Sequence, residues 1–174
     1  MPAIKIPASL SKIKLVAGCG TGREGDRCAI QEYRAWRALD PSVDTRPKGV
    51  CPILHRLVIG FNDSRLGWRA LLVVWLPNLT GSEGNAATRQ ARAYKAADWA
   101  VRVFAPITLD ARGFPKQAAT LRALASITNR TTCNAAYAAV ADAADAAVAA
   151  AAYAADKIDI IGMLDSILAT KGKA

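Results

Sequence analysis

Beyond residue 40 the apolar residues of this sequence recur three or four positions apart, which is the period of an α-helix. One such stripe consists of Ile53, Leu54, Leu57, Val58 and Phe61. Alanine, the strongest helix former, supplies 37 of the 174 residues, and 15 of these alanines lie between 135 and 155. The β-branched runs that a buried parallel sheet needs are missing from the same region. The sequence therefore predicts an all-α fold, a single helical domain with a short extended N-terminal piece.

Prolines, glycines and polar clusters divide the chain into about seven predicted helices. We expect them to cover 26–39, a stretch that starts at Pro52, 65–76, 85–104 (closed by Pro106), 115–127, 131–156 (capped by Thr131 or Thr132) and 160–168. A strand over 71–76 is the alternative for the third of these. The predicted organisation is an extended arm (1–17), a helical body (18–130) and Ala-rich helices packed on that body (131–170).

Two of these helices invite a prediction about which faces are buried. The stretch 65–76 is almost entirely apolar after Arg69, which indicates a central buried helix. In the Ala-rich helix, Tyr137, Val140 and Val148 share a stripe that we expect to pack against the body. The other face carries an acidic stripe, which in the alternative interpretation meets a basic partner. That stripe consists of Asp142, Asp145 and Asp156.

Charge and hydropathy indicate the cellular environment. The N-terminus is too often interrupted by Lys and Pro for a signal peptide, and the longest apolar run, 70–76, is too short to span a membrane, so we expect a cytoplasmic protein. The net charge is +9, and residues 1–102 contribute 16 Lys and Arg against 8 Asp and Glu. Such an excess suits an acidic partner: nucleic acid, a nucleotide or an acidic protein.

The most distinctive short motif is a glycine loop. Residues 20–25 read G-x-G-x-x-G after the apolar 15–17 and before a predicted helix, an order that can place a phosphate at a helix N-terminus. The stretch 17–22 also looks like the S-adenosylmethionine loop of methyltransferases, and Asp40 or Asp44 lies where a ribose-binding acid is expected. Because no sheet is predicted behind it, we interpret the loop as a structural turn and predict no cofactor. An enzyme using this loop is the alternative.

A second set of candidates consists of thiols. Cys51 and His55 are four residues apart on one predicted helix, and Cys19 and Cys28 would complete four zinc ligands. No C-x-x-C pair is present, so we predict no metal site but buried free cysteines and a surface or capped histidine. Catalysis by the cysteine–histidine pair is disfavoured, because nothing marks a third, orienting group.

The helix predicted over 85–104 carries a basic and aromatic face. Arg92, Lys95, Trp99 and Arg102 fall within about 80° on a helical wheel, so the indole could stack on a base while the cations contact phosphates. Alternatively, Trp99 covers a neighbouring helix and the cations reach past it to water. The opposite face is predicted to be core, and its residues are Tyr94, Ala97, Val101 and Phe104.

The chain also resembles a family of proteins from bacteriophages and from actinobacteria and other soil bacteria. The shared motifs are Arg23-Glu24-Gly25…Cys28…Glu32, Asp40-Pro41…Asp44, Asn62-Asp63 and Arg92…Ala96-Ala97-Asp98-Trp99, followed by Ala-rich helices. The resemblance covers roughly residues 17–156 and implies no particular activity. It implies a polar network in the helical body, made of Glu24, Glu32, Asn62, Asp63, Arg92 and Asp98.

Together these observations favour a non-enzymatic binding protein, an accessory protein of a phage or mobile element that acts in the host cytoplasm through a basic face on an acidic partner. The predicted partner-binding residues are Arg23, Glu24, Arg92, Lys95, Asp98, Trp99 and Arg102. Two alternatives remain: an S-adenosylmethionine- or nucleotide-dependent enzyme that uses loop 18–25, and an assembly protein that forms homo-oligomers through its Ala-rich helices.

Overall fold

The computed structural model describes residues 12–64, 68–147 and 159–172, with only the backbone described for 141–147. Its α-helices are α1 (Ala29–Trp36), α2 (Pro52–Asp63), α3 (Arg69–Trp75), α4 (Ala86–Trp99), α5 (Ala105–Ala111), α6 (Pro115–Ala123), α7 (Arg130–Ala147) and α8 (Ile160–Ala169). A 3₁₀ turn (Leu76–Leu79) follows α3, and a π-helical turn (Ala100–Phe104) joins α4 to α5. No sheet occurs in these ranges, where Leu15 and Arg27 form an isolated parallel bridge. The all-α prediction is confirmed.

The number of helices also agrees with expectation. If the continuous stretch 86–111 is taken as one helix, the described residues contain seven. Within the same residues, no helix combines the length and hydropathy needed to cross a lipid bilayer.

The chain divides into two compact units, residues 1–84 and residues 85–174. In the first unit, α1 packs on α2, α3 and the 3₁₀ turn. Its core consists largely of fully buried aliphatic side chains, among them Ile30, Leu54, Leu72 and Leu76. In the second unit, α5, α6 and α7 pack together, and α4 packs on α8. The predicted division into arm, body and C-terminal helices stays a prediction.

Helix α1 begins later than the sequence suggested. Asp26 was the expected N-cap, but the cap is Cys28, whose backbone N–H donates to Gln31 Oε1 at 3.0 Å. The helix ends at Trp36 in a Schellman turn, in which Leu39 N donates to Arg34 O at 2.9 Å. Residue C′ of this turn is Ala38, with φ of 52°, where most helices use glycine. Hydrogen bonds from Thr21, described below, hold the Asp26 carboxylate within the glycine loop and away from the start of the helix.

Helix α3 is only half buried, so the prediction of a wholly buried helix is wrong, although the preference for helix over strand is confirmed. Leu72, Val73 and Trp75 are buried, whereas Leu71 is 47% and Val74 is 65% exposed. Because an α-helix turns 100° per residue, a continuous apolar run must present part of itself away from the unit it packs on.

Pro106 does not end the long helix as predicted. The chain stays helical from 86 to 111, and the π-helical turn lies directly before the proline, with Ala105 N donating to Ala100 O. A proline lacks the N–H of the regular ladder and crowds the carbonyl four residues earlier. A π turn changes the hydrogen-bond register at that point, which lets the helix continue past Pro106.

Helix α7 packs through only part of the stripe expected for it. Ala136 is buried, and Ala139 and Val140 pack on a core formed by α5 and α6, but Tyr137 is 78% exposed. Its N-cap is Asn129 rather than a threonine, because Asn129 Oδ1 accepts from Thr132 N at 3.0 Å. Val148 and the side chains of the acidic stripe lie outside the described residues.

Candidate functional site

The glycine loop folds around a carboxylate. Asp26 Oδ2 accepts from Thr21 N at 3.1 Å and from Thr21 Oγ1 at 2.6 Å. The two bonds from Thr21, together with the nearby Arg23, hold the pKa of Asp26 below its usual value against a smaller opposing effect of desolvation. A loop that binds a phosphate directs N–H groups at it. Here the N–H of Thr21 is bonded to the Asp26 carboxylate and that of Gly22 to the Asp26 carbonyl oxygen, so neither N–H is free for a phosphate.

Two glycines of the motif have structural reasons of their own. A Cβ at Gly20 would lie 2.3 Å from Asp26 O, and one at Gly22, where φ is 80°, would lie 2.5 Å from Pro41 O. Only glycine allows the backbone to approach so closely. The pattern G-x-G-x-x-G therefore follows from the packing of the loop on its neighbours, as the interpretation as a structural turn predicts.

The N-terminus of α1 behind the loop is already capped by the chain. Ala29 N donates to Asn62 Oδ1 at 3.1 Å, and the N–H groups of Ile30 and Gln31 face the sulfur of Cys28. The adjoining cleft has a volume of about 10 Å³, which is room for one water molecule at most. Within the part of the chain that the structure describes, this end of α1 is capped, and the cleft beside it is too small for a cofactor.

Asn62 and Asp63, at the end of α2, hold the N-terminal segment on α1 and α2. Asn62 Nδ2 donates to Val16 O at 2.8 Å and to Asp63 Oδ1 at 3.0 Å, and Gly18 N donates to Asp63 Oδ1 at 2.8 Å. Asn62 is 1% exposed. These two residues of the family-like pattern are therefore brought together in a cluster that positions backbone.

Other members of the expected polar network are placed elsewhere. Glu32 accepts from Trp36 Nε1 at 2.7 Å and pairs with Arg27 at 3.4 Å, while Glu24 is exposed on the loop. Sequence reasoning missed Gln31, whose side chain also donates to Gly20 O at 2.8 Å. The spacing of Cys28 and Gln31, an N-cap followed three residues later by glutamine, was the available signal.

The candidate zinc ligands were the thiols of Cys19, Cys28 and Cys51 and the imidazole of His55. Among the described residues there is no group of three or more His, Cys, Asp or Glu side chains able to hold a metal ion. Cys28 and Cys51 are buried, whereas Cys19 is exposed. His55 Nε2 donates to Asp44 O at 3.1 Å and so fastens the loop 40–49.

The environments of the same groups determine their protonation. Burial raises the pKa of the Cys28 thiol, despite the opposing effect of the Gln31 and Ile30 N–H groups. Burial lowers the pKa of His55, and the positive charges of Arg46 and Arg56 act in the same direction, against the bond to Asp44 O. At neutral pH the imidazole of His55 is therefore uncharged while it holds the loop 40–49 through its hydrogen bond to Asp44 O.

Much of the predicted basic and aromatic face of α4 is occupied internally. Arg92 is buried, and its Nη2 donates to Leu168 O at 2.8 Å, near the C-terminus of α8. A guanidinium at the carbonyl end of a helix satisfies an acceptor that the helix itself leaves free. Trp99 is half-buried against the edge of Phe104, at a centroid distance of 6.2 Å, and Lys95 is half-buried.

Asp98 and Arg102 form an ion pair that fixes the loop between α6 and α7. Arg102 Nη1 donates to Asp98 Oδ1 at 3.0 Å and to Ser126 Oγ at 2.7 Å. Ile127 N donates to the same Asp98 oxygen at 2.9 Å. Two residues that the sequence indicated as partner-binding thus hold a loop of their own unit.

The buried face of α4 is polar. Thr88, Arg92 and Asp98 are its buried residues, whereas Tyr94 and Ala97, which were predicted to be core, are only partly buried. The predicted core face is confirmed in part, since Val101 packs on the core formed by Leu109, Ala118 and Leu121. The fully buried residues lie on the charged side, because the hydrogen bonds to α8 and to the loop before α7 are made there.

The seven predicted partner-binding residues are divided between the two units. Arg23 and Glu24 are exposed in the first unit, and the five α4 and π-turn residues belong to the second. The partner-binding role of the whole set stays a prediction.

The charged side chains at the surface differ in whether they have partners within the chain. Most carboxylates of the described residues bind inside the chain; besides Asp26, Glu32, Asp63 and Asp98, these are Asp40 (to Ser42 N), Glu83 (to Arg46), Asp110 (to Arg122) and Asp159 (to Gly162 N). Exposed cations of the first unit without an ion-pair partner in the described part of the chain are Lys12, Lys14, Arg23, Lys48 and Arg56. No carboxylate of the described residues therefore lies within ion-pair distance of these cations.

The chain was compared with models of protein families, with curated proteins and with solved structures, and none of the three comparisons gave a match.

Proposed function

We propose that this protein is a non-enzymatic binding protein whose partner is a polyanion, with nucleic acid as the partner of first choice. The observation that carries the proposal is the division of charge. Most described carboxylates are engaged in hydrogen bonds or ion pairs of the chain itself, whereas three lysines and two arginines of the first unit are exposed without ion-pair partners among the described residues. With a net charge of +9, such a surface attracts phosphates by releasing their counterions.

Lys48 and Arg56 are the best-supported contact residues. Arg56 and Arg46 are near enough to His55 to lower its pKa, so these cations flank the same part of α2, with Lys48 in the loop that leads into the helix. They replace Arg92 and Arg102 as candidates, because those two arginines already bind within the second unit. Membership of a phage or mobile-element system remains a proposal that rests on the family resemblance.

A salt titration tests the proposal. Fluorescence anisotropy of labelled single- and double-stranded oligonucleotides is measured at several salt concentrations between roughly 50 and 200 mM. We expect binding that weakens steeply with salt, and a slope of log K against log salt that falls by about 1 for K48Q and about 1 for R56Q. The matched control is R122Q, which removes an equal charge from an arginine that is already paired with Asp110.

The proposal fails if no oligonucleotide binds at the lowest salt or if binding is independent of salt. It also fails in its assignment of residues if R122Q lowers the slope as much as R56Q does, because attraction would then follow total charge alone.

A further inference from the structure

A second, larger concavity lies in the second unit, on the face of α4 opposite the buried Arg92. Its floor is formed by Ala87, Gln90, Ala91 and Tyr94, which are spaced to share one helix face. Its walls are Thr128 on one side and the segment 171–172 on the other. The groove has a volume of about 560 Å³, within the range of about 300–1,000 Å³ that small-molecule sites occupy.

Both walls of this groove are held in place by hydrogen bonds. On the first side, the residues just before Thr128 are fixed to the π-turn and to α4. Ile127 N donates to Asp98 Oδ1, and Arg102 Nη1 donates to Ser126 Oγ. On the other side, Gly172 N donates to Thr88 Oγ1 at 3.3 Å, and a Cβ on Gly172 would lie 2.2 Å from Ala87 C. The groove is therefore formed before any ligand arrives, and glycine is required where the chain crosses α4.

The lining of the groove has a definite chemistry. Two alanines leave a shallow, apolar floor against which a flat ring can lie, and Tyr94 offers an aromatic ring beside it. Gln90 Nε2 donates to Tyr94 OH at 3.3 Å, so the phenol accepts this bond and can still donate its own proton to a ligand. The amide oxygen of Gln90 has no hydrogen-bond donor among the described residues and can accept one from a ligand. Lys171 is exposed and is the one charged group among the lining residues, none of which is acidic.

We propose that this groove binds a nucleotide, with the base on the alanine floor beside Tyr94 and the phosphate at Lys171. A planar heterocycle with hydrogen-bonding edges matches the Gln90 amide and the Tyr94 hydroxyl, and a single anionic group matches the single ammonium. The nucleotide is either free or the end of a single strand. This site lies in the other unit from Lys48 and Arg56, so it does not depend on the polyanion surface.

Binding of nucleoside monophosphates is measured by isothermal titration calorimetry at about 0.3 M salt, where counterion release contributes little to affinity. We expect the monophosphate to bind about tenfold more tightly than the matching nucleoside, which lacks the charge-assisted contact of the phosphate with Lys171. It should also bind about tenfold more tightly than inorganic phosphate, which keeps that contact but lacks the base and its contacts with Tyr94 and Gln90. K171Q should reduce affinity for the nucleotide to that for the nucleoside. The matched control, K116Q on α6, removes a lysine outside the groove and should change nothing.

A91L fills the floor without altering charge and should abolish binding of nucleotide and nucleoside alike. Circular dichroism checks its fold, and if it does not fold, the K171Q comparison alone decides. A dinucleotide that binds more than about tenfold better than the monophosphate identifies a strand end as the natural ligand, and equal binding identifies a free nucleotide. The proposal is overturned if no monophosphate binds at millimolar concentration, if folded A91L binds like the wild type, or if K171Q and K116Q behave identically.

Discussion

Replacing Asn62 by leucine should destabilise the protein far more than the same substitution at an exposed asparagine would. Asn62 is 1% exposed and makes three hydrogen bonds, to Ala29 N, to Val16 O and to Asp63 Oδ1. Leucine is similar in shape and keeps the packing of α2 on α1. The substitution therefore isolates the polar contribution of this side chain.

The structure sets the size of the effect. Ala29 is fully buried, so its N–H loses its partner without access to water, which costs about 1–3 kcal/mol. Val16 O is half-buried and can be reached by water, so the loss there is the net worth of an ordinary hydrogen bond, about 0.5–1.5 kcal/mol. The free energy of unfolding should fall by about 2–4 kcal/mol, a large part of the 5–15 kcal/mol typical of a folded domain.

Urea denaturation monitored by tryptophan fluorescence measures this change, with an expected decrease of the midpoint by about 1–2 M. The control is N134L on α7, where the asparagine is exposed and the change should stay within about 0.5 kcal/mol. A loss below about 0.5 kcal/mol for N62L would refute the reasoning, because it would mean that Ala29 N has another partner or is not buried.

Three further predictions concern the first unit. A38G should stabilise the protein by about 0.5–1 kcal/mol in the same denaturation assay, because φ at Ala38 is 52°, a value that glycine adopts without strain. A35G, inside α1, should destabilise it by about 1 kcal/mol. Changes of the same sign in the free energy of unfolding for both variants would contradict the interpretation of Ala38 as a strained cap. The single His55 should titrate by NMR with a midpoint below 6.5, and because its pKa in the folded state is depressed, stability should decline as pH falls through that pKa; a midpoint above 6.5 would show that burial is not the dominant effect. A thiol reagent at neutral pH should modify the exposed Cys19 rapidly and the buried Cys28 only as fast as the protein opens, and equal rates for C19S and C28S variants would contradict the burial of Cys28.

The helices and the absence of a sheet from the described residues follow from local sequence. Pro52, Pro115 and the clusters of polar residues before α4 and α7 placed helix starts to within a few residues, because capping and proline geometry act over three or four neighbouring positions. The sequence also indicated that G-x-G-x-x-G is a turn, because the residues after the motif contain no pattern of strands that could form a sheet beside it.

Burial and hydrogen-bond partners depend on segments that are distant in the chain. Arg92 meets Leu168 O across 76 positions and Asn62 meets Val16 O across 46, so no helical wheel or local motif could assign them to the interior. Periodicity locates the faces of a helix, but the partner against which each face packs decides which one is buried. That is why Arg92 and Asp98 of α4 are buried while Val74 and Tyr137 face outward.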